Sequence, residues 1–330
     1  MRANVALIAG AAACLAIGIA ASALPGAARA AKVFRWVDGK GVTQYGDHVP
    51  DSVDPATTPI SRVPVPAEPM PIARLKLEPA GSDVHAWAEN NLAGPIEVRL
   101  YQPEDRARVA PVRSDPPLPA RAVVPGERRM LLATLVGDHN ALLKLDVVPG
   151  DPNARPRDFE YGYPLRSDAV RVEQGYGGVY SHQDAQNRYA VDFAAAIGTQ
   201  VLAARAGTVM QVEADFDRGG LNAEKYAGRA NFVRIVHDDG TMALYAHLDL
   251  DGVLVRIGQR VRKGQAIGLS GNTGYTTGPH LHFAVQVNRG MKLESIPFRM
   301  FGPGGILRFT EPTRMPATTT PASPSTSPSP

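Results

Sequence analysis

Cysteine is nearly absent from these 330 residues: Cys14 is the only one, and it lies inside the apolar stretch at the N-terminus. Once that stretch is removed the chain has no thiol, needs no disulfide, and is indifferent to an oxidising compartment. An excess of one charge is also missing. Lys and Arg number 35 against 32 Asp and Glu, a net of +3. Residues 1–30 hold Arg2 and Arg29 and no acid, so without them the balance is 33 against 32. A near-neutral chain offers no global argument for nucleic acid or an anionic membrane surface as partner. Aromatic residues make up only 6%, and a mean hydropathy of -0.15 does not fit a polytopic membrane protein. Sustained helical periodicity is scarce over residues 160–300, which points away from a helical domain there.

What is present begins with an export signal. Arg2 is followed by an apolar run over 5–24, then Pro25, Gly26 and Ala28-Arg29-Ala30. That order predicts a signal peptide over 1–30, cleaved after Ala30, and a periplasmic or secreted bacterial envelope protein with no membrane span left after cleavage. The run is about 20 residues, long enough to serve as an uncleaved anchor instead. Lipidation at Cys14 fits poorly, because alanine stands where a larger aliphatic residue is wanted.

Residues 31–50 form a small module. Two alternating runs, 33–37 and 42–45, flank Asp38-Gly39-Lys40-Gly41, a hairpin pattern. The segment resembles the short YRWVD-type module found after signal peptides of envelope proteins, and its aromatics Phe34, Trp36 and Tyr45 are expected to pack on one another. A proline-rich linker follows over 51–72. Short apolar runs at 73–77, 96–101, 122–124, 130–135 and 141–148, spaced by Pro and Gly, predict a small antiparallel β-sandwich over 73–150. Residues 155–311 read as a second all-β domain, with runs at 207–212, 231–236, 242–248, 265–270 and 280–287. The Pro/Ser/Thr tail over 312–330 is expected to be disordered.

The chemistry concentrates in this last domain. In Gly278-Pro279-His280-Leu281-His282-Phe283-Ala284-Val285-Gln286-Val287, strand alternation sends Leu281, Phe283, Val285 and Val287 to a core and His280, His282, Ala284 and Gln286 to the other face. Two imidazoles one residue apart suit a metal ligand beside a group that reaches water. In Leu244-Tyr245-Ala246-His247-Leu248, plain alternation groups His247 with Ala243 and Tyr245, opposite Leu244 and Leu248. Asp192, between Val191 and Phe193, is costly to bury unless it pairs or binds a cation. Neutral histidine plus carboxylate is the ligand chemistry of catalytic zinc.

Residues of about 170–290 resemble the M23 peptidases, the LytM/lysostaphin-type zinc endopeptidases of bacterial cell walls. The resemblance runs through Gly175-Tyr176-Gly177, Ala190-Val191-Asp192-Phe193-Ala194, Gly207-Thr208-Val209, Asn231-Phe232-Val233-Arg234-Ile235, Tyr245-Ala246-His247-Leu248, Ser270-Gly271-Asn272-Thr273-Gly274 and Gly278-Pro279-His280-Leu281-His282-Phe283. It implies an antiparallel sheet of the barrel-sandwich-hybrid type and a Zn2+ cofactor. It also implies metal ligands at Asp192 and His282 and catalytic histidines at His247 and His280. One position departs from the family pattern. The first ligand is normally a histidine four residues before the aspartate, and here Arg188 stands there; a guanidinium stays protonated and cannot ligate. His182, reached by an enlarged loop over 181–189, is the expected replacement. A degenerate site without zinc is the alternative, and Asp184 is a poorer substitute.

The function so implied is hydrolysis of peptide cross-links or stems of peptidoglycan by a metal-activated water. In an envelope without a special bridge the bond would be D-Ala to meso-diaminopimelate. The alternative is a metal-free M23-like binding protein that regulates other cell-wall hydrolases. A lipoyl- or biotinyl-type carrier is a third reading, suggested by Val261-Arg262-Lys263-Gly264-Gln265 and opposed by the lack of a lysine at a suitable hairpin tip. The hairpin and sandwich are expected to space or occlude the site, with wall targeting or partner binding as other options.

Overall fold

The computed structural model describes residues 33–46, 48–63, 69–103, 111–137, 142–226 and 228–309. The expected signal peptide over 1–30, with Cys14, and the expected tail over 312–330 lie outside the described residues. The chain divides into two compact units after Val65.

In the first unit, β1 (Val33–Val37) and β2 (Thr43–Gly46) close the expected hairpin, with Arg35 opposite Tyr45. Asp38 organises its turn by accepting the N–H groups of Lys40 and Val42 at 2.9 and 3.0 Å. A third strand, β3 (Ser61–Val63), pairs with the other edge of β1, inside the stretch expected as linker. Trp36 is buried, but Tyr45 stands on the opposite face and is exposed. The expected mutual packing of these two rings is therefore not formed, because odd and even positions of a paired strand face apart.

The second unit starts with β4 (Ala73–Ala80), β5 (Asp83–Asn90), β6 (Ile96–Tyr101), β7 (Ser114–Asp115), β8 (Ala120–Val124), β9 (Arg129–Leu135) and β10 (Lys144–Pro149). They make two antiparallel sheets, β4-β5-β9-β7 and β10-β6-β8, the small sandwich expected here. The run of 83–90 was not among the expected strands. Its inward residues include Ala86 and Ala88, too small to register as an apolar stripe, and the buried Asn90. The amide of Asn90 is held by the carbonyls of Gly94, Val124 and Pro125, so its burial leaves no unpaired donor.

The rest of the unit comprises β11 (Glu160–Gly162), β12 (Val172–Gln174), β13 (Val191–Ala194), β14 (Gln200–Leu202), β15 (Gly207–Glu213), β16 (Gly219–Gly220), the one-turn α1 (Ala223–Tyr226), β17 (Asn231–Val236) and β18 (Met242–Val253). It continues with β19 (Arg260–Val261), β20 (Ala266–Ser270), β21 (Gly274–Tyr275), β22 (His280–Asn288), β23 (Leu293–Ser295), β24 (Arg299–Gly302) and β25 (Gly305–Leu307). A ten-stranded antiparallel sheet runs β12-β13-β22-β18-β17-β15-β19, with β14 beside β20, β20 beside β18 and β23 beside β22. The fold is all-β, as expected.

The two faces of this sheet are used differently. Val191, Phe193, Val233, Ile235, Tyr245, Leu281, Phe283 and Val285 point to one side and are fully buried. Each contributes roughly 1.5–3 kcal/mol of burial, with the Tyr245 hydroxyl satisfied by accepting Ala204 N–H at 2.8 Å. On the other side, Met210 and Met242 are fully buried against Leu92, Ile96, Val98 and Leu100 of the sandwich. The sandwich and the large sheet thus share a second core. The remainder of that outer face carries the histidines.

Candidate metal centre

Asp192 and His282 are cross-strand partners on β13 and β22, and Ala246 of β18 lies on the other side of His282. The alternation expected for 280–287 holds: Leu281, Phe283, Val285 and Val287 are fully buried in apolar surroundings, while His280 and His282 occupy the outer face. Asp192 lies between core residues Val191 and Phe193 for the same reason. Its Oδ1 is 2.9 Å from His282 Nδ1.

His182 arrives by the enlarged loop. Gly177 N–H donates to the Arg188 carbonyl at 2.7 Å and closes the loop at its base, where Tyr176 and Tyr189 pack edge to face. Within the loop, Asp184 accepts the N–H groups of Gln186 and Asn187 and the Asn187 amide. Asp184 is thus a turn-former on the surface, away from the ligand set, and Arg188 is exposed. His182 is fully buried, with Nε2 3.2 Å from Asp192 Oδ1. A Cβ at Gly178 would lie 2.1 Å from the Gln174 side chain, so a larger residue there would displace Gln174.

His247 reaches the site by a route that plain alternation does not give. Ala243, Tyr245 and Leu248 all enter the core. Between Asn231 and Phe232 the β17–β18 register shifts, so that Asn231 faces Leu248 while Phe232 faces Ala246. His247 is the extra residue of this bulge and has φ 63°, a left-handed conformation uncommon for a non-glycine residue. The expectation that it shares a face with Ala243 and Tyr245 is corrected accordingly. The bulge turns its ring outward, with centroids 4.6 Å from His280 and 5.8 Å from His282.

The tautomers follow from the main chain. Nδ1 of His182 lies 2.8 Å from the Gly175 carbonyl, Nδ1 of His247 2.7 Å from the Thr273 carbonyl, and Nδ1 of His280 2.8 Å from the Gly278 carbonyl. A carbonyl only accepts, so each Nδ1 carries the proton and donates. Any of these rings that carries no second proton presents a bare Nε2, and the Nε2 atoms of His182 and His280 lie 3.2 and 3.7 Å from Asp192 Oδ1. These carbonyl partners, and Gln174, were not evident from sequence. Gln174 Nε2 donates to Asp192 Oδ2 at 3.0 Å and to Ser181 Oγ at 2.8 Å, and its Oε1 accepts Tyr180 N–H at 3.0 Å. It occupies one carboxylate oxygen and leaves Oδ1 to the histidines. The only available signal was its position beside Gly175-Tyr176-Gly177.

Electrostatics reflect the crowding. Burial opposes the charge on Asp192, but hydrogen bonds from His182 and His282 hold its carboxyl far below the usual range. Burial also opposes charge on His182, and the Asp192 hydrogen bond and charge outweigh it, so its pKa is raised. His247 is pushed down to about 3 by burial and by His280 and His282.

The donor set fits zinc. Zn–N and Zn–O bonds of about 2.0–2.2 Å in tetrahedral geometry place donors about 3.3–3.5 Å apart. The separations of 3.2 and 2.9 Å around Asp192 Oδ1 are close to that. With Nδ1–H of His182 donated to Gly175, a neutral His182 would face a carboxylate oxygen lone pair to lone pair. That contact calls for a cation between them, a proton or a metal. Among the described residues, His182, Asp192 and His282 form the group with converging donors.

The surrounding loops are tied in. β16 pairs in parallel with β21, joining the 215–229 loop to the strap that carries Thr273. Gly271 packs so tightly under this strap that a Cβ would lie 2.5 Å from Asp249 main-chain atoms.

Parts of the chain are similar to known proteins. Residues 186–293 match Peptidase family M23, and residues 20–74 match a domain of unknown function, DUF4124. The chain is 44% identical over 96 residues to peptidoglycan DD-endopeptidase ShyA of Vibrio cholerae, covering 29% of this chain and 19% of that protein. It is 37% identical over 114 residues to glycyl-glycine endopeptidase ALE-1 of Staphylococcus capitis, covering 34% of this chain and 28% of that protein. The chain thus spans less than a third of the length of these curated relatives. The catalytic domain of lysostaphin from Staphylococcus simulans aligns at 26% identity over 42% of this chain and 87% of that one, with TM-score 0.27. His182 lies outside the family match, whereas Arg188 and Asp192 lie inside it.

Proposed function

We propose that this chain is an extracytoplasmic zinc-dependent endopeptidase that hydrolyses peptide cross-links of peptidoglycan. The observation that carries the reading is the convergence of His182, Asp192 and His282 donors beside the rings of His247 and His280. The match to Peptidase family M23 and the similarity to named peptidoglycan endopeptidases support the substrate class. No helix of the described residues is long and apolar enough to cross a membrane.

In this reading His182, Asp192 and His282 hold the metal. Zinc, when bound there, supplies Lewis acidity toward a peptide carbonyl and toward water. The remaining steps belong to the chain. His247 is neutral across the pH range of an envelope, because its pKa lies far below. Its Nδ1–H is fixed on Thr273, so Nε2 accepts the proton of the attacking water. His280, its Nδ1 held the same way by Gly278, stabilises charge that develops on the former carbonyl oxygen when its Nε2 carries a proton to donate to it. Protonated His247 is acidic in this buried setting and returns its proton to the departing amine. Gln174 keeps Asp192 aligned throughout. We assign the D-Ala to meso-diaminopimelate cross-link as the bond cut, in line with the DD-endopeptidase among the relatives.

The test is digestion of purified sacculi by zinc-loaded protein, with released muropeptides separated and identified. Cross-linked dimers should fall and monomers rise, and His282→Ala should abolish this together with zinc content. Wild-type protein that holds no zinc and releases nothing would leave the regulatory binding role instead.

A further inference from the structure

The loop that delivers His182 is gripped at its far end by two residues from the sheet. Gln286 of β22 and Ser295 of β23 are register partners. They hold consecutive carbonyls of the loop. Ser295 donates from both N and Oγ to the Ala185 carbonyl, at 2.8 and 3.1 Å, and its Oγ accepts Tyr189 N–H at 2.9 Å. Gln286 Nε2 donates to the Gln186 carbonyl at 3.0 Å. Gln286 is fully buried and lies four residues beyond His282 on the same face, about 13 Å along the strand.

Beneath it lies Arg234 of β17, a buried guanidinium. Its Nη1 donates to Gln286 Oε1 at 2.5 Å, and its Nε has no partner. No carboxylate among the described residues forms an ion pair with it. The guanidinium also lies over the Phe232 ring, 5.9 Å from its centroid. Burying a cation without a counter-charge is costly, so these two contacts are an expensive reason to keep one. The amide contact does one definite thing. A guanidinium accepts nothing and a main-chain carbonyl donates nothing. Glutamine between them can adopt only one amide orientation, with Oε1 toward Arg234 and Nε2 toward Gln186.

We propose that Arg234 and Gln286 are positioning residues: Arg234 orients the Gln286 amide, which with Ser295 latches the 181–189 loop to the sheet and so fixes His182 in the metal site. The inference rests on the zinc reading above for its consequence, and on the hydrogen bonds alone for the latch. It accounts for how a ligand on a long loop can match ligands on rigid strands. The loop is held at both ends of its span, by the Gln174–Ser181 bond near the site and by the Gln286–Gln186 bond away from it.

The full chain serves for the test. Gln286→Glu keeps an acceptor toward Arg234 but sets a second acceptor against the Gln186 carbonyl. Amide hydrogen exchange of the metal-free protein should show at least about tenfold faster exchange confined to residues 182–190. Zinc affinity, measured by chelator competition, should weaken about tenfold, the lower end for losing an outer-shell partner. The Co2+ absorption spectrum should change shape. Arg234→Met should act in the same direction, and Arg234→Lys, which retains a donor, should recover most of the loss. Ser295→Ala, which removes only the hydroxyl grip, provides a second handle if Gln286→Glu does not fold. Exchange over 182–190 and zinc affinity within twofold of wild type would overturn the latch, as would acceleration spread evenly over the whole sheet. A wild-type protein that binds no zinc would overturn the zinc reading, while the exchange arm still decides the latch.

Discussion

His182 Nε2 lies 3.2 Å from Asp192 Oδ1, although ten residues separate the two and Arg188 occupies the place four before the aspartate. The loop fills the ligand position from farther back, and Arg188 is an exposed residue. His182→Ala should therefore weaken zinc binding by more than the 10–100-fold typical of outer-shell changes. Arg188→Ala should leave it within about twofold. Chelator competition on both variants decides the point, and equal affinity in His182→Ala would remove this histidine from the ligand set.

His247 is assigned to proton transfer and not to the metal. His247→Ala should lower muropeptide release about 10²–10⁴-fold, the usual contribution of a general acid–base group. Zinc content should remain at the wild-type level. Loss of the metal in this variant would instead make His247 a ligand.

Met242 couples the sandwich to the sheet. It is fully buried among sandwich residues, and Met242→Ala should cost about 2–5 kcal/mol through lost burial and a cavity. A single denaturation transition, shifted to lower denaturant, is expected from the shared core. Two separated transitions, with the sheet unaffected, would contradict it.

His237 gives the fold a pH dependence away from the site. Its Nδ1 donates to the Ala206 carbonyl at 2.8 Å, and Nε2 is buried without a partner. Burial lowers its pKa from 6.5 to about 4. The unfolded chain then binds more protons than the folded one between those values, so stability rises with pH across about 4 to 6.5. At roughly 1.4 kcal/mol per pKa unit, the share lost on acidification to about pH 4 is of order 3 kcal/mol. Thermal melts of His237→Asn, which keeps a donor for Ala206, should show a flatter slope in this window. An unchanged slope would exclude His237 as the source.

The readable parts of the sequence were those with an unbroken local period. Residues 280–287 alternate cleanly, and β22 follows that alternation through Asn288. The harder parts broke the rule that makes strands readable. A bulge at His247 reverses the face a period of two assigns. Ala86 and Ala88 fill a tight interior with side chains too small to signal it. β3 arises in proline-rich sequence because an open edge of β1 accepts it. The partners that set ring orientation are main-chain carbonyls at Gly175, Thr273 and Gly278, and a carbonyl is common to every residue type, so no sequence pattern marks it.

That last property has a further side. The proton placement on three imidazoles is dictated by peptide groups, which no point substitution deletes. Genetic drift at positions 175, 273 or 278 can disturb it only by bending the chain path. The protonation pattern of the pocket is thus inherited with the fold itself, and a descendant that lost hydrolysis through a change of ligand would still keep its rings aimed and ready for a reverting mutation.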